Sequence, residues 1–261
     1  MTDQIRFNDG GAYEKYMGKW SQLAGAAFLD WLAPSPALRW LDVGCGNGAF
    51  TEMVAERSTP ISIDGIDPSE AQLAFARTRP LLRTATFQQG DAMALPFSNG
   101  SFDVAVMPLV IFFVPDPAKG VSEMARVVSG GGLVTAYAWD VIGRGFPYVA
   151  LVEELEALGQ PVPQPPSNDA SRMDVLVDLW TRAGLGDLET REIIVQRTFA
   201  NFDEYWSIIH GSPSASSRLA ALTDDGRARL RSRLIERLPA DAAGKITYSA
   251  RANAIKGRTS R

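Results

Sequence analysis

Cysteine and histidine are almost missing from this chain: its 261 residues hold one of each, Cys45 and His210. One cysteine excludes an intrachain disulfide framework and a multi-cysteine metal site, and one histidine leaves a zinc centre without its commonest ligands. The composition fits a reducing cytoplasm, with no metal expected. A dominant charge sign is lacking too, because 26 Lys and Arg face 30 Asp and Glu for a formal charge of −4. That balance argues against a general polyanion binder, so nucleic acid is not an expected partner. No window approaches the uninterrupted apolar length of a membrane span, and the opening "MTDQIRFNDGGAYEKYMGKW" lacks the basic start and apolar centre of a secretory leader. A soluble, unexported protein is expected. There are no internal repeats and no low-complexity tracts.

With 46% hydrophobic residues the chain can bury a sizeable core. Over residues 13–32 apolar side chains recur at three- and four-residue steps, the period of a helix face, until "APSP" stops it. Over 38–139 short apolar runs alternate with helical patterns: "LRWLDV" then "AFTEMVAERS", "ISIDGI" then "EAQLAFARTR", "TATFQQ", "FDVAVM", then "KGVSEMARVV" and "GGLVTAYAW". That alternation predicts βαβ units on a parallel sheet. Beyond 139 come a helical stretch "YVALVEELEAL", a proline-rich loop and a second amphipathic stretch "MDVLVDLWTRAGL". "DLETREIIVQRTF" and "KITYSARANAIKG" then alternate polar and apolar residues, as half-exposed edge strands do, with helices expected at 203–209 and 224–238 between them. Seven strands result. The expected organisation is a single domain of 1–261, with a helical cap at 1–37, a cofactor-binding core at 38–139, and lid helices plus two strands at 140–261.

The segment "WLDVGCGNGAF" reads as strand, turn and helix. Gly44, Gly46 and Gly48 let the backbone pass close to a ligand. With Ala49 they also satisfy the dinucleotide fingerprint, so the glycines alone leave an NAD-dependent oxidoreductase open. Asp42, at the mouth of the turn, weighs against it, because a pyrophosphate on a helix N-terminus is opposed by a carboxylate beside it. A cationic ligand without phosphate, such as S-adenosylmethionine, would be favoured. Asp67 stands at the end of the second strand, where a carboxylate can accept ribose hydroxyls. Asp91 and Ala92 follow the third strand, beside the expected adenine position.

In this order and spacing, "WLDVGCGNGAFT", "GIDPS", "GDAMALPFSNGSFDVAV" and "EMARVVSGGGLVTAYAW" resemble the class I S-adenosylmethionine-dependent methyltransferases, especially the branch that methylates small molecules. The likeness covers about residues 38–139. It implies a Rossmann-like seven-stranded, mostly parallel α/β sheet with helices on both faces, an antiparallel last strand, and S-adenosylmethionine at the carboxyl ends of the strands. The implied cofactor groove comprises Asp42, Gly44, Cys45, Gly46, Gly48, Asp67, Pro68, Asp91, Ala92 and Met107. "VVSGGG" departs from the family by lacking a proline before its glycines, in a turn entering the fifth strand. A non-catalytic S-adenosylmethionine-binding module would show the same groove.

Other roles compete at several of these positions. Asp42 could cap the turn backbone, Asp67 could cap the following helix, and Cys45 need only be small. His210 sits at an expected helix end, where histidines often satisfy the last carbonyls; it is also the one imidazole able to act as general base. Tyr16, Trp20, Trp139, Tyr205 and Trp206 fall in segments that would cover the site, either as lid packing or as walls for a flat acceptor.

Overall fold

The computed structural model describes residues 14–160, 162–210 and 213–260. Tyr13 and the rest of 1–13, part of the expected cap, lie outside them. Strands β1 (Arg39–Val43), β2 (Ser62–Asp67), β3 (Thr86–Gln89), β4 (Phe102–Pro108), β5 (Val128–Trp139), β6 (Gly186–Phe199) and β7 (Ile246–Arg258) form one sheet in the order β3-β2-β1-β4-β5-β7-β6. The pairs β1·β2, β2·β3, β1·β4 and β4·β5 are parallel, whereas β7 runs antiparallel to both β5 and β6. From β1 the chain winds outward through β2 to β3, then returns to β4 on the other side of β1. That reversal opens a crevice above the carboxyl ends of β1 and β4.

The helices are α1 (Lys19–Leu32), α2 (Ala49–Ser58), α3 (Glu70–Ala76), α4 (Pro117–Val127), α5 (Val149–Ala157), α6 (Met173–Arg182), α7 (Phe202–His210), α8 (Pro213–Ala221) and α9 (Asp224–Arg237). Helix α4 shows why they begin where they do: Asp116 accepts the Lys119 amide at 3.1 Å and Pro117 needs no acceptor for an amide it lacks. Helix α3 is shorter than its pattern predicts. Arg79 precedes Pro80 and is extended (φ −70°, ψ 123°), a conformation the proline ring favours over helix, so the chain leaves α3 early. Helix α8 is an addition that the periodicity does not announce.

β6 is an edge strand, as expected, but β7 is not. It lies between β5 and β6, and Ala252, Ala254 and Ile255 are fully buried. The polar–apolar alternation comes from its first half. Residues 246–251 pair with β6 alone, since the ladder to β5 begins at Ala252. These six residues, at about 3.4 Å each, make a two-stranded ribbon overhanging the end of β5 by about 20 Å. The overhang is on the side where the crevice opens.

Helix α1 joins the two regions. Trp20, Ala24, Phe28 and Leu32 are buried at four-residue steps. The Phe28 ring lies 4.5 Å from Tyr137 of β5 and 6.0 Å from Phe50 of α2, whereas the Trp20 ring lies 5.2 Å from Tyr248 on the ribbon. Eight residues at about 1.5 Å each place these two ends about 12 Å apart along the helix. Among the described residues no helix is long and apolar enough to cross a membrane.

Candidate functional site

The turn after β1 holds three glycines with positive φ: Gly44 at 77°, Gly46 at 52° and Gly48 at 78°. Their surroundings differ. A Cβ at Gly44 would stand 2.6 Å from Val110, two residues past the end of β4 across the switch point, and one at Gly48 would meet Leu82 and Ala76 at 2.9 and 3.0 Å. A Cβ at Gly46 would meet nothing within 4 Å. Gly44 and Gly48 therefore serve close packing, while Gly46 leaves open space over the turn. The amides of Gly44 and Cys45 both donate to the Ile66 carbonyl, at 2.7 and 3.1 Å, which ties the turn to β2. Cys45 is buried, and burial pushes its thiol pKa up, as befits a small packing residue rather than a nucleophile.

Asp42 is 1% exposed. Its Oδ2 accepts the Thr51 hydroxyl of α2 at 2.7 Å, whereas Oδ1 is buried without any partner. Burial raises its pKa to about 7; the Thr51 hydrogen bond opposes that rise and the nearby Asp67 charge adds to it. A half-satisfied buried carboxylate is costly, on the order of 1–3 kcal/mol for a missing hydrogen bond alone. A cation brought to the turn would relieve it.

Asp67 ends β2. Its Oδ2 accepts the Gly46 amide at 2.9 Å and its Oδ1 the Ser69 amide at 2.8 Å. Burial raises its pKa and these two hydrogen bonds oppose the rise. The helix cap of α3 is Ser69 rather than Asp67, since its hydroxyl accepts the Gln72 amide at 3.4 Å. Each Asp67 oxygen has a second lone pair to offer a ligand. Exposed Pro68 uses its carbonyl to accept from Gln89 at 2.9 Å. After β3, the Gly90 amide donates to the Asp67 carbonyl at 3.1 Å, which brings the Asp91–Ala92 corner beside it. Asp91 is exposed and accepts the Met93 amide at 2.9 Å, while Ala92 is half-buried.

Met107 is not brought to the turn's surface in the same way: it is fully buried, with its methyl toward Gly120 of α4. Beyond β4, Val110 is the side chain that covers Gly44. Neither Val110 nor Thr51 was singled out from sequence. Thr51 stands three residues after Gly48, one helical turn into α2, and that spacing is the signal that could have found it.

Above the sheet the aromatic residues form a connected group. Tyr16 and Tyr148 stack at 4.2 Å with planes 11° apart, and the Tyr148 hydroxyl donates to the Tyr16 carbonyl at 2.8 Å. Tyr205 of α7 lies 6.1 Å from Tyr148 and 6.3 Å from Tyr248. Burial pushes all four tyrosine pKa values up, that of Tyr148 to about 12, so each hydroxyl stays protonated at neutral pH. Tyr16, Trp20 and Tyr205 thus meet, together with Tyr148 and Tyr248. Trp206 faces elsewhere, stacked on Phe202 at 5.9 Å with the Arg231 guanidinium 5.8 Å from its ring. Trp139 closes β5, buried, with its indole N–H unpartnered. His210 is the exposed last residue of α7, packed edge-on against Trp206 at 5.0 Å. Among the described residues no group of His, Cys, Asp and Glu could hold a metal ion.

Residues 41–136 match the sequence family described as methyltransferase domain. The chain is 38% identical over 99 residues to the 2-methyl-6-phytyl-1,4-hydroquinone methyltransferase 2 of Oryza sativa subsp. japonica, a match covering 38% of this chain and 28% of that protein. It is 36% identical over 106 residues to the demethylmenaquinone methyltransferase of Desulfitobacterium hafniense, covering 39% of this chain and 42% of the relative. These matches span less than half the length of either relative. In fold it is similar to the Haemonchus contortus phosphoethanolamine N-methyltransferase 2 solved with S-adenosyl-L-methionine, with a TM-score of 0.60, 19% identity, and coverage of 96% of this chain and 56% of that one.

Proposed function

Because residues 41–136 form a domain of the class I S-adenosylmethionine-dependent methyltransferase family, we propose that this protein transfers a methyl group from S-adenosylmethionine to a small or medium-sized organic acceptor. The observation that carries the reading is Asp42: a buried carboxylate with one unpartnered oxygen at the mouth of a glycine turn suits a ligand that is cationic and carries no phosphate there. The same carboxylate disfavours a dinucleotide. Asp67 would accept the ribose hydroxyls on its spare lone pairs, the open space above Gly46 would admit the methionine part, and Asp91 with Ala92 would border the adenine. When bound, the cofactor supplies an electrophilic methyl carbon on a sulfonium.

For the transfer, this chain's task is alignment and dryness. A displacement at carbon gains most from holding the nucleophile in line and keeping water away, and it has no universal need of an acid or base. The aromatic group of Tyr16, Trp20, Tyr148 and Tyr205 supplies an apolar cover. His210 lies exposed beside Trp206, and a hydroxyl acceptor that needs a base would have to reach it there. The reading takes 1–261 as one domain, in the cytoplasm, acting on a small molecule rather than nucleic acid; the single cysteine and the net charge of −4 support the last two points.

Calorimetry with S-adenosylhomocysteine and with NAD tests the cofactor, and labelled methyl donor incubated with a metabolite extract tests the transfer. Tight binding of the first ligand and a labelled small product are expected. Preference for NAD would overturn the reading, and donor binding with no product from any extract would leave a binding module instead.

A further inference from the structure

The loop 90–101, between β3 and β4, is held from outside by two side chains of α4. Glu123 Oε2 accepts the Leu95 amide at 2.8 Å, and Arg126 Nη2 donates to the Leu95 carbonyl at 2.9 Å. Both backbone groups of one loop residue are thus taken by a single helix. Arg126 Nη1 also donates to the Phe97 carbonyl at 2.7 Å and to Asn99 Oδ1 at 2.9 Å, and the Arg126 backbone carbonyl accepts the Gly100 amide at 3.1 Å. The two side chains grip each other as well, Nε to Oε1 and Nη2 to Oε2, both at 2.7 Å. With the Arg126 guanidinium so placed, the Glu123 carboxyl is held below the usual carboxylate range.

What this grip fixes is the corner at Asp91–Ala92. Upstream, the Gly90 amide is tied to the Asp67 carbonyl at 3.1 Å; downstream, Leu95 is tied to α4. Between these anchors the chain turns sharply, the Ala94 amide donating to the Asp91 carbonyl at 3.0 Å and the Met93 amide to the Asp91 carboxylate at 2.9 Å. Helix α4 also comes close at Gly120, one turn before Glu123, where a Cβ would stand 4.0 Å from the Ala92 carbonyl. The corner therefore has no free end. Its distance from Asp67 is set on one side by β2 and on the other by Glu123 and Arg126. A base joined to a ribose on Asp67 can be read by hydrogen bonds only if the two protein parts keep that spacing, to within about 0.5 Å.

We propose that Glu123 and Arg126 are positioning residues for base recognition: they hold the Asp91–Ala92 corner at the distance from Asp67 that lets it tell adenine from other purines. Both act through Leu95 and need no contact with the ligand. This deepens the methyl-transfer reading and rests on it for the identity of the base. Adenine carries an amino donor next to a ring-nitrogen acceptor, and hypoxanthine reverses both, so a rigid corner paired with the first sets donor against donor and acceptor against acceptor with the second. A corner free to shift would relieve that mismatch and would bind the adenine form less well.

The test titrates the full chain by calorimetry with S-adenosylhomocysteine and with S-inosylhomocysteine, its hypoxanthine counterpart. The unaltered protein should favour the first by roughly a hundredfold or more. Arg126→Met should weaken S-adenosylhomocysteine binding by roughly tenfold and cut the preference to a few-fold, and Arg126→Lys should restore part of both. Arg39→Met is the control for mere loss of stability, since Arg39 grips Asp103 at 2.7 and 3.1 Å where β1 begins, at the opposite end of the sheet from the crevice. It should melt earlier and keep the full preference. If Arg126→Met fails to fold, Glu123→Gln replaces it, with a several-fold fall in preference expected. Full preference in the folded Arg126 and Glu123 variants, or no preference in the unaltered protein, would overturn the inference. No binding of either ligand by the unaltered protein would instead overturn the methyl-transfer reading itself.

Discussion

The carboxylate of Asp67 accepts the amide of Gly46 at 2.9 Å, so a side chain at the end of β2 fastens the backbone of the turn that follows β1. Its other oxygen holds the Ser69 amide at 2.8 Å. The residue proposed to receive the ribose is therefore also a strut, and its removal carries two separable costs. Asp67→Ala should weaken S-adenosylhomocysteine binding by about tenfold or more, as expected for lost charge-assisted hydrogen bonds of about 1.5–3 kcal/mol. It should also lower the melting temperature of the ligand-free protein. Asp67→Asn, which keeps an acceptor oxygen for one amide, should recover part of the stability and less of the affinity. Calorimetry and thermal melting on both variants check the split; unchanged affinity in a folded Asp67→Ala would move the ribose contact elsewhere.

Asp42 makes stability depend on pH in an unusual direction for an aspartate. Its folded pKa of about 7 lies above the unfolded value near 3.8, so between those pH values the folded state holds the extra proton. Stability from this group is present below the unfolded pKa and is lost as pH rises to about 7. Asp42→Asn, which has no charge to bury, should raise the melting temperature relative to the unaltered protein at pH 8 and much less at pH 5. The same change should weaken S-adenosylhomocysteine binding at pH 8. A melting difference that grows toward low pH would contradict the assignment.

Gly44 and Gly46, two residues apart, should respond oppositely to alanine. Gly44→Ala drives a methyl group to 2.6 Å from Val110 and should destabilise the fold by about 1–3 kcal/mol, with partial recovery in Gly44→Ala/Val110→Ala. Gly46→Ala has room, so only the left-handed backbone penalty of about 1–2 kcal/mol applies, yet its methyl enters the space proposed for the cofactor. A melting temperature lowered by only a few degrees, with lost S-adenosylhomocysteine binding, is expected for Gly46→Ala. Retained binding would place the cofactor elsewhere.

The two lid tryptophans also divide. Trp20 is fully buried, and Trp20→Ala should cost about 3–5 kcal/mol of stability before any effect on transfer is read. Trp206 is half-buried and packs on Phe202, away from the group formed by Tyr16, Trp20, Tyr148 and Tyr205, so Trp206→Ala should fold with acceptor KM and donor affinity both little changed. His210→Ala should lower the rate only for an acceptor that must lose a proton. A raised acceptor KM in folded Trp206→Ala would contradict that placement and return Trp206 to the lid.

The central parallel strands β1 and β4 were legible because they are buried on both faces and read as mostly apolar runs between turn signals. "FDVAVM" and "LRWLDV" needed no tertiary information. β7 was misplaced because alternation reports local exposure, and its first half really is exposed on the overhanging ribbon. The aromatic lid was legible as composition, not as geometry: Tyr16, Trp20 and Tyr205 meet, but Trp206, next in sequence to Tyr205, points to another neighbour because adjacent helical residues face about 100° apart. Tyr248 could not have been placed by pattern, since it meets Trp20 and Tyr205 only through the folding of three distant elements.

The order of strands has a consequence for how the chain acquires its structure during synthesis. β7 is seventh in the chain but sixth across the sheet, between β5 and β6. Until residues 246–258 leave the ribosome, β5 presents a bare edge of unpaired amides and carbonyls, and β6 has no strand to join. A parallel core of five strands can collect early, while everything from β6 onward must wait for the final pairing. Nascent chains halted before 246 should therefore be the form most in need of a chaperone, because an open apolar strand edge is a template for association with other chains.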